Sequence, residues 1–248
     1  MALSGHGPSP TENHLLLALP IVDRDRLSPT LQSVTLSLGQ VVYEYSERLE
    51  YIYFPTSAVV SLLYTTQDGS TAEMGLVGND GAVGVALFLG GETTPNRAVV
   101  QIGGAALRMP ASVLRQEFAR GGPLQRVLLR YTQALITQIS QTAICNRLHS
   151  VEQRLSRWLL LSHDRVQSAE LLMTQEFISN MLGGRRESVT VAAGSLQNAG
   201  LIQYSRGRIV ILDRKGLEGA TCECYRIVKD ELDRLTANPW VYRTTDGS

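Results

Sequence analysis

Six basic residues and only two acidic ones, Glu187 and Asp213, fall between Gly183 and Lys215, although the whole chain has 23 of each kind. The basic residues are Arg185, Arg186, Arg206, Arg208, Arg214 and Lys215. A basic patch on a neutral protein predicts that one region meets nucleic-acid phosphates, and the plainer alternative is a solvated surface. The pI of about 6.9 excludes a uniformly basic nucleic-acid coat protein.

Two helical patterns separated by Gly183–Gly184 surround the first of these arginines. Residues at helical spacing predict the first helix, namely Phe177, Ile178, Met181 and Leu182. A second helix is predicted from Arg185 to Ala199, because Val189, Ala193 and Leu196 form one inward stripe and Gly200 is a suitable stop. The glycine pair permits the sharp turn of a helix-turn-helix unit.

A hairpin is predicted directly after the second helix. Leu201–Gln203 and Ile209–Leu212 are rich in β-forming residues, and a polar Ser205–Arg208 turn joins them. Two helices followed by such a hairpin predict a winged helix-turn-helix that binds double-stranded DNA.

The predicted helix and hairpin divide the candidate DNA contacts into two groups. The start of a recognition helix enters the major groove, which gives base-reading roles to Arg186, Glu187, Ser188 and Thr190. The helix start and the hairpin tip also approach the backbone, which gives phosphate contacts to Arg185, Arg206 and Arg208.

Short β-rich runs every eight to twelve residues fill the segment from Val34 to Met109 and predict a β-sandwich or barrel. The runs are Gln40–Tyr45, Tyr51–Phe54, Val59–Tyr64, Thr71–Val77, Ala98–Ile102 and Ala106–Met109. The glycine-rich segment Gly81–Arg97 interrupts them. Such backbone beside an arginine can hold a phosphate, or it can be a loop with a solvated arginine.

A long helix is predicted from Gly121 to about Asn146, with a seam at steps of three and four. The seam consists of Leu128, Tyr131, Leu135, Ile139 and Thr142. It can cover the β-domain, or it can meet a partner helix in a homodimer. The capping box Ser150–Gln153 then begins a new helix.

These elements give four segments: a disordered tail over residues 1–10, a sensor domain over 11–122, a dimerisation helix over 123–149 and a DNA-binding domain over 150–248. The fold class is therefore α+β. No run of 18 apolar residues and no signal peptide are recognised, so no membrane partner and a cytoplasmic location are expected.

Catalytic and metal chemistry find little support in the sequence. We find no GxSxG, HExxH or P-loop motif, which argues against an enzyme. Three cysteines cannot form a disulfide framework, and Cys222 and Cys224 alone offer two metal ligands, so ordinary thiols and no metal are expected. His149, beside the domain joint, is interpreted as structural.

The order of β-domain, long helix, capped helix and winged helix-turn-helix resembles the Crp/Fnr family of bacterial transcription regulators over nearly the whole chain. The motif that carries this resemblance consists of Gly183, Arg186, Glu187, Ser188 and Val189. The resemblance implies a double-stranded β-helix of jelly-roll type, a homodimer joined along the long helix and a palindromic DNA site. It also implies an effector in the β-roll and makes RNA polymerase a further candidate partner.

The resemblance also shows where this chain departs from the family. A second recognition-helix arginine falls at Val191, which changes the expected DNA site. In cAMP-binding members a glutamate holds the ribose and an Arg-Ser pair holds the phosphate, and these positions are Val85 and Arg97–Ala98 here.

The candidate effector pocket therefore contains Gly84, Val85, Arg97 and Ala98, with an effector other than cAMP, or none, and no cofactor. Arg97 can bind another anion or be structural. No cysteine precedes Cys145, which excludes the family's N-terminal iron–sulfur sensor. The alternative function is a nucleotide-sensing module that acts through protein partners without DNA.

Overall fold

Two antiparallel sheets pack against each other in the first half of the chain in this computed structural model, which describes residues 12–166, 168, 170–172, 175–182, 186–205 and 207–236. One sheet has the spatial order β1 (Gln32–Leu36), β7 (Gly104–Pro110), β3 (Tyr51–Pro55). The other has the order β2 (Val41–Tyr43), β6 (Arg97–Ile102), β4 (Val59–Thr65), β5 (Thr71–Val77). The predicted sandwich is confirmed, and β1 is a strand that the sequence analysis did not anticipate.

The core of the sandwich comes from alternate residues of facing strands. Ile52 and Phe54 of β3 are buried in one cluster with Leu62 of β4 and Val100 of β6. The alternation arises because successive side chains of a strand point to opposite faces of its sheet.

Short helices precede and follow the sandwich: α1 (His14–Leu17), α2 (Ile21–Leu27) and α3 (Ala111–Ala119). The first begins at His14, because Asn13 is the N-cap and its Oδ1 accepts hydrogen bonds from the Leu15 and Leu16 amides. The Asn13 amide also donates to the carbonyls of Pro55 and Gly81, which fixes α1 to the sandwich.

The long helix α4 (Pro123–Leu148) covers one end of the sandwich. Leu128, Tyr131 and Leu135 belong to the sandwich core, and the Tyr131 hydroxyl donates to the Ala82 carbonyl at 3.1 Å. Thr142 is buried as well, and half-buried Ile139 packs against the same core.

The seam therefore faces the chain's own β-domain, and this corrects its assignment to a dimer interface. Periodicity places residues on one face of a helix but does not identify what covers that face. A different face of α4 exposes four large apolar side chains, those of Leu129, Ile136, Ile144 and Leu148.

The second half of the chain is a helical domain with a small sheet. The helices are α5 (Val151–Arg165), α6 (Gln175–Leu182), α7 (Arg186–Asn198), α8 (Arg214–Ala220) and α9 (Cys224–Thr236). The sheet has the order β8 (Glu170–Leu172), β10 (Arg208–Ile211), β9 (Ile202–Ser205), in which β8 was not anticipated. The capping box of Ser150 and Gln153 is present at the start of α5.

The two halves share a hydrophobic core. Leu63 and Leu76 of the four-stranded sheet lie in one buried cluster with Leu155 and Leu159 of α5. The helix α9 packs along α4, where the Arg130 Nε donates to the Leu235 carbonyl at 2.7 Å. Within the described part of the chain, no helix combines the length and apolarity needed to cross a bilayer.

Candidate DNA-binding surface and effector cavity

The position of α7 is set by its buried face. Val189, Ala193 and Leu196 are almost completely buried in the core of the C-terminal domain. The opposite side of the first two turns is exposed, and it carries Arg186, Glu187, Ser188 and Thr190. The structure thus brings the four predicted base-reading residues together on one surface.

The helix α6 packs against α7. Ile178, Met181 and Leu182 are buried in the cluster that receives Val189, and the Arg154 guanidinium donates to the Leu182 carbonyl at the end of α6. The Gly183–Gly184 turn and Arg185 lie outside the described residues, so the predicted phosphate contact of Arg185 stays a prediction.

The hairpin of β9 and β10 forms beside α7, with Ser205 opposite Arg208 in register. Gly207 in the turn has φ +78°, a left-handed conformation that favours glycine. Arg208 is exposed, but its Nε lies 3.0 Å from Glu170 Oε1 of β8, so its charge is partly balanced within the sheet. Arg206 lies outside the described residues.

Arg214 does not contribute a free charge to the basic patch. Its guanidinium lies 2.6 Å from Asp164 Oδ1 and 2.9 Å from Glu218 Oε1, and it donates to the Tyr225 hydroxyl at 2.7 Å. This arginine therefore connects α8 to α5 and α9, which charge counting along the sequence could not detect.

A cavity of about 340 Å³ opens between the four-stranded sheet, the glycine-rich segment and α4. Most of its wall is apolar or aromatic, including Tyr43, Leu62, Tyr64, Met74, Val85, Leu89, Leu135 and Ile139. Its polar side chains are those of Thr93, Thr94 and Asn96, together with the hydroxyl-bearing Tyr43 and Tyr64. None of the described residues that line it is acidic or basic.

Gly84 and Val85, which the sequence analysis assigned to an effector pocket, line this cavity. Gly84 has φ +106°, and a Cβ atom there would lie 3.2 Å from the Tyr51 carbonyl oxygen, so the close approach requires glycine. Burial raises the pKa of Tyr43 to about 12, and its neutral phenol accepts a hydrogen bond from the Asn96 amide at 3.0 Å.

Arg97 and Ala98 do not line the cavity, which corrects their assignment to the pocket. Ala98 is completely buried in the sandwich core. The Arg97 guanidinium donates to Glu44 Oε1 at 2.9 Å and lies beside Thr65 and Gln67, in a separate surface depression. Arg97 and Ala98 are adjacent residues of β6, and adjacent side chains of a strand point to opposite faces of the sheet.

The sequence analysis missed the cavity wall formed by α4. Leu135 and Ile139 line the cavity, although both were assigned to a dimer interface. The available signal was their spacing of four residues, which places both on the face of α4 that packs against the sandwich.

Family models match both halves of the chain. A Crp-like helix-turn-helix domain matches residues 153–220, and a cyclic nucleotide-binding domain matches residues 33–120. Together the two matches cover more than half of the chain. The chain belongs to the Crp/Fnr family. It is a transcriptional regulator of this type with a helix-turn-helix DNA-binding domain.

Solved structures of Crp/Fnr-type proteins share the fold. FixK2 from Bradyrhizobium japonicum is 17% identical, with a TM-score of 0.64 over 77% of this chain and 98% of its own. A Crp/Fnr-family regulator from Eubacterium rectale is 18% identical, with a TM-score of 0.63 over 84% of this chain and 99% of its own.

The c-di-GMP-responsive regulator CLP from Xanthomonas campestris is a third Crp/Fnr-type neighbour. It is 17% identical, with a TM-score of 0.59 over 75% of this chain and 96% of its own. Identities this low establish the fold only. The ligand of this regulator must therefore be inferred from its own residues. No curated protein matches the chain significantly.

Proposed function

We propose that this Crp/Fnr-type regulator binds a palindromic DNA site as a homodimer and responds to a neutral, largely apolar ligand rather than to cAMP. The observation that carries the proposal is the row of exposed polar side chains on the first two turns of α7, above a fully packed inner face. RNA polymerase stays a candidate partner.

The exposed row of α7 supplies a specific set of base contacts. Arg186 can donate two hydrogen bonds to guanine O6 and N7, and Glu187 can accept one from cytosine N4. Val191 is 73% exposed one turn further along, and its methyl groups suit the C5-methyl of thymine. We therefore expect a thymine where the family's second arginine reads a different base.

Phosphate contacts place this row in the groove without reading sequence. We assign Arg185, Arg206 and Arg208 to this role. Arg208 must exchange its ion pair with Glu170 for a DNA phosphate, so we expect it to contribute less than an unpaired arginine would.

A homodimer follows from the small footprint of one recognition helix, because two-fold symmetry doubles the site that is read. The exposed apolar face of α4 is the proposed contact with a second copy, through Leu129, Ile136 and Ile144. With 26 residues α4 is about 39 Å long, which is sufficient for an extended helix–helix contact.

The cavity supports the proposal for the effector. A cyclic nucleotide carries a phosphate, and burying that charge among uncharged side chains without a partner is strongly unfavourable. A neutral ligand can instead use the apolar wall together with the Asn96 and Thr94 side chains. Because Leu135 and Ile139 form part of the wall, such a ligand touches α4 directly, next to Ile136 on its exposed face.

Selection from a random-sequence DNA pool with the purified protein tests this function. We expect enrichment of an inverted repeat whose half-sites contain a G·C pair read by Arg186. A nucleotide-sensing module that acts without DNA would enrich nothing, and a direct or single half-site would contradict the two-fold dimer.

A further inference from the structure

The three cysteines of the chain and one histidine meet at the joint between α4 and the C-terminal domain. Cys145 lies in the last turns of α4 and His149 caps that helix, while Cys222 lies between α8 and α9 and Cys224 is the first residue of α9. Their ligand atoms, three Sγ and one imidazole nitrogen, all lie within 4.8 Å of one another. The two residues of α4 and its cap are thus brought to one point with two cysteines that follow them by 73 to 79 positions in the sequence.

We propose that these four side chains form a structural zinc site of the Cys₃His type. With Zn–S bonds of ~2.3 Å and Zn–N bonds of ~2.0 Å, a tetrahedral centre holds two sulfurs about 3.8 Å apart and a sulfur and a nitrogen about 3.5 Å apart. The Cys145 and Cys222 sulfurs are 3.5 Å apart, and the Cys224 sulfur is 3.6 Å from His149 Nδ1. The set therefore surrounds a volume that suits one small tetrahedral ion.

The composition of the set favours zinc. Three thiolates and an imidazole are a known tetrahedral zinc ligand set, and four protein ligands leave no open coordination position, as in structural sites. The cysteines are almost completely buried and form a cluster of their own, separate from the two apolar cores. Ordinary buried thiols would be expected to join the surrounding hydrophobic packing instead.

The second ring nitrogen of His149 has a suitable partner. Nδ1 faces the sulfur of Cys224, and Nε2 lies 3.5 Å from the Glu223 carboxylate. A carboxylate behind a metal-bound imidazole fixes its tautomer and orientation. Glu223 thus separates the two cysteine ligands in the sequence and also orients the histidine.

The charge of the proposed centre is also compensated. Three thiolates, a neutral imidazole and Zn²⁺ carry a net charge of −1, which must be balanced when it is buried. Arg157 of α5 is buried beside Cys145 and donates to Thr142 Oγ1 at 2.6 Å. Its guanidinium supplies the opposite charge.

The site has a mechanical consequence. Cys145 and His149 precede the Crp-like helix-turn-helix region at residues 153–220, and Cys222 and Cys224 follow it, so one ion joins the segments on either side of this region. The ion therefore fixes both the start and the end of this region to the end of α4.

Metal analysis of the full-length protein, purified without a polyhistidine tag, tests the proposal. We expect about one zinc ion per chain in the wild type and less than a tenth of that in Cys224→Ser and His149→Ala. His163→Ala is the matched control, because His163 lies on α5 outside the cluster, and it should keep its zinc. The variant His149→Cys should also retain zinc, because it restores a fourth ligand.

A second measurement covers the case in which the ligand variants do not fold. Metal-free wild-type protein titrated with Co²⁺ should develop the intense visible bands of a tetrahedral thiolate site at one equivalent, and Zn²⁺ should remove them. Removal of zinc should speed proteolytic cleavage between α4 and α5.

Three results would overturn the proposal. These are wild-type protein with neither zinc nor the cobalt bands, iron in place of zinc at the same stoichiometry, and zinc that survives both Cys222→Ser and Cys224→Ser. A Cys145–Cys222 disulfide in protein purified under reducing conditions would also overturn the proposal.

Discussion

The recognition helix and the effector cavity differ in how much of the family's chemistry they keep. On α7, Arg186 and Glu187 stand where the family motif has them, and both are exposed. In the cavity the family's glutamate position is Val85, and its arginine position, Arg97, faces Glu44 outside the cavity. One region has the charged groups that we propose to contact DNA, and the other has apolar surface where the family has charge.

The difference follows from what each side chain does for the fold. The outer residues on the first two turns of α7 are exposed and lie outside the hydrophobic core, so the DNA contacts that we propose can determine their identity. The cavity wall is also core, since Leu62 and Leu135 pack within the sandwich cluster. Because these side chains are packed against one another, a change of ligand there requires several neighbours to change together. The result is a new apolar surface, which a single substitution would not give.

The largest effect should come from the exposed face of α4, the helix whose buried face lines the cavity. Ile136→Glu places a charge in the proposed dimer contact, where it has no partner. We expect monomers and a loss of about a thousandfold or more in affinity for a two-half-site operator. Light scattering measures the mass, and a mobility shift measures the affinity.

The matched control is Ile21→Glu on α2. Ile21 is 62% exposed and Ile136 is 59% exposed, so both changes remove a similar surface isoleucine. Ile21→Glu should remain dimeric, and equal dissociation of the two variants would contradict a specific α4 contact. Leu135→Glu is not a suitable test, because its side chain is in the sandwich core and the variant should unfold.

The charged side of the comparison is tested by Arg186→Ala. Loss of a bidentate guanine contact should weaken operator binding by about ten- to a hundredfold and remove the preference at that base pair. Arg208→Ala should instead weaken binding to all sequences and reduce the salt dependence by roughly one phosphate contact. Arg226→Ala on α9 controls for loss of positive charge, and an unchanged base preference in Arg186→Ala would refute the assignment.

A smaller, pH-dependent effect is expected at Glu73, which connects the four-stranded sheet to α5 of the DNA-binding domain. Glu73 of β5 is buried next to the cavity residue Met74, and burial raises its pKa to about 7. The Ser61 Oγ lies 2.6 Å from Glu73 Oε2 and 2.7 Å from Gln101 Oε1, and its single hydrogen cannot serve both. A protonated Glu73 that donates to Ser61 satisfies all three groups, while Trp158 Nε1 donates to its other oxygen at 3.1 Å.

The direction of the pH effect on stability follows from the raised pKa of Glu73. Between pH 4.5 and 7 the folded protein binds a proton that the unfolded chain releases, so stability is greatest below this range and falls as pH rises through it. Near pH 6 the free energy of unfolding should fall by about 1 kcal/mol per pH unit from this group. Denaturation in urea should show a flatter pH profile for Glu73→Gln, whereas Glu50→Gln on the surface should keep the wild-type slope. Equal slopes in all three proteins would contradict the buried protonated acid.

The sequence predicts the elements of this regulator better than the surroundings of its residues. The inward stripe of Val189, Ala193 and Leu196 predicts the exposed row of α7, because one buried face determines the other. The same reasoning fails for α4, where several faces are covered by different neighbours. The cysteine and histidine cluster is invisible in the sequence, since its two halves meet only through the tertiary packing of α9 on α4.

The smallest expected effect is the response to cAMP, which should be close to none. Calorimetry of the wild type should give no dissociation constant of micromolar or tighter, because the missing ribose and phosphate contacts cost about one to three powers of ten in affinity. Val85→Glu restores the family's carboxylate on the cavity wall, yet it should not restore binding, because Arg97 remains paired with Glu44 on another surface. Val85→Gln, which adds similar volume without charge, controls for the change in cavity shape. Micromolar binding by the wild type, or by Val85→Glu alone, would show that Arg97 can reach the cavity and that the two regions have kept the same chemistry after all.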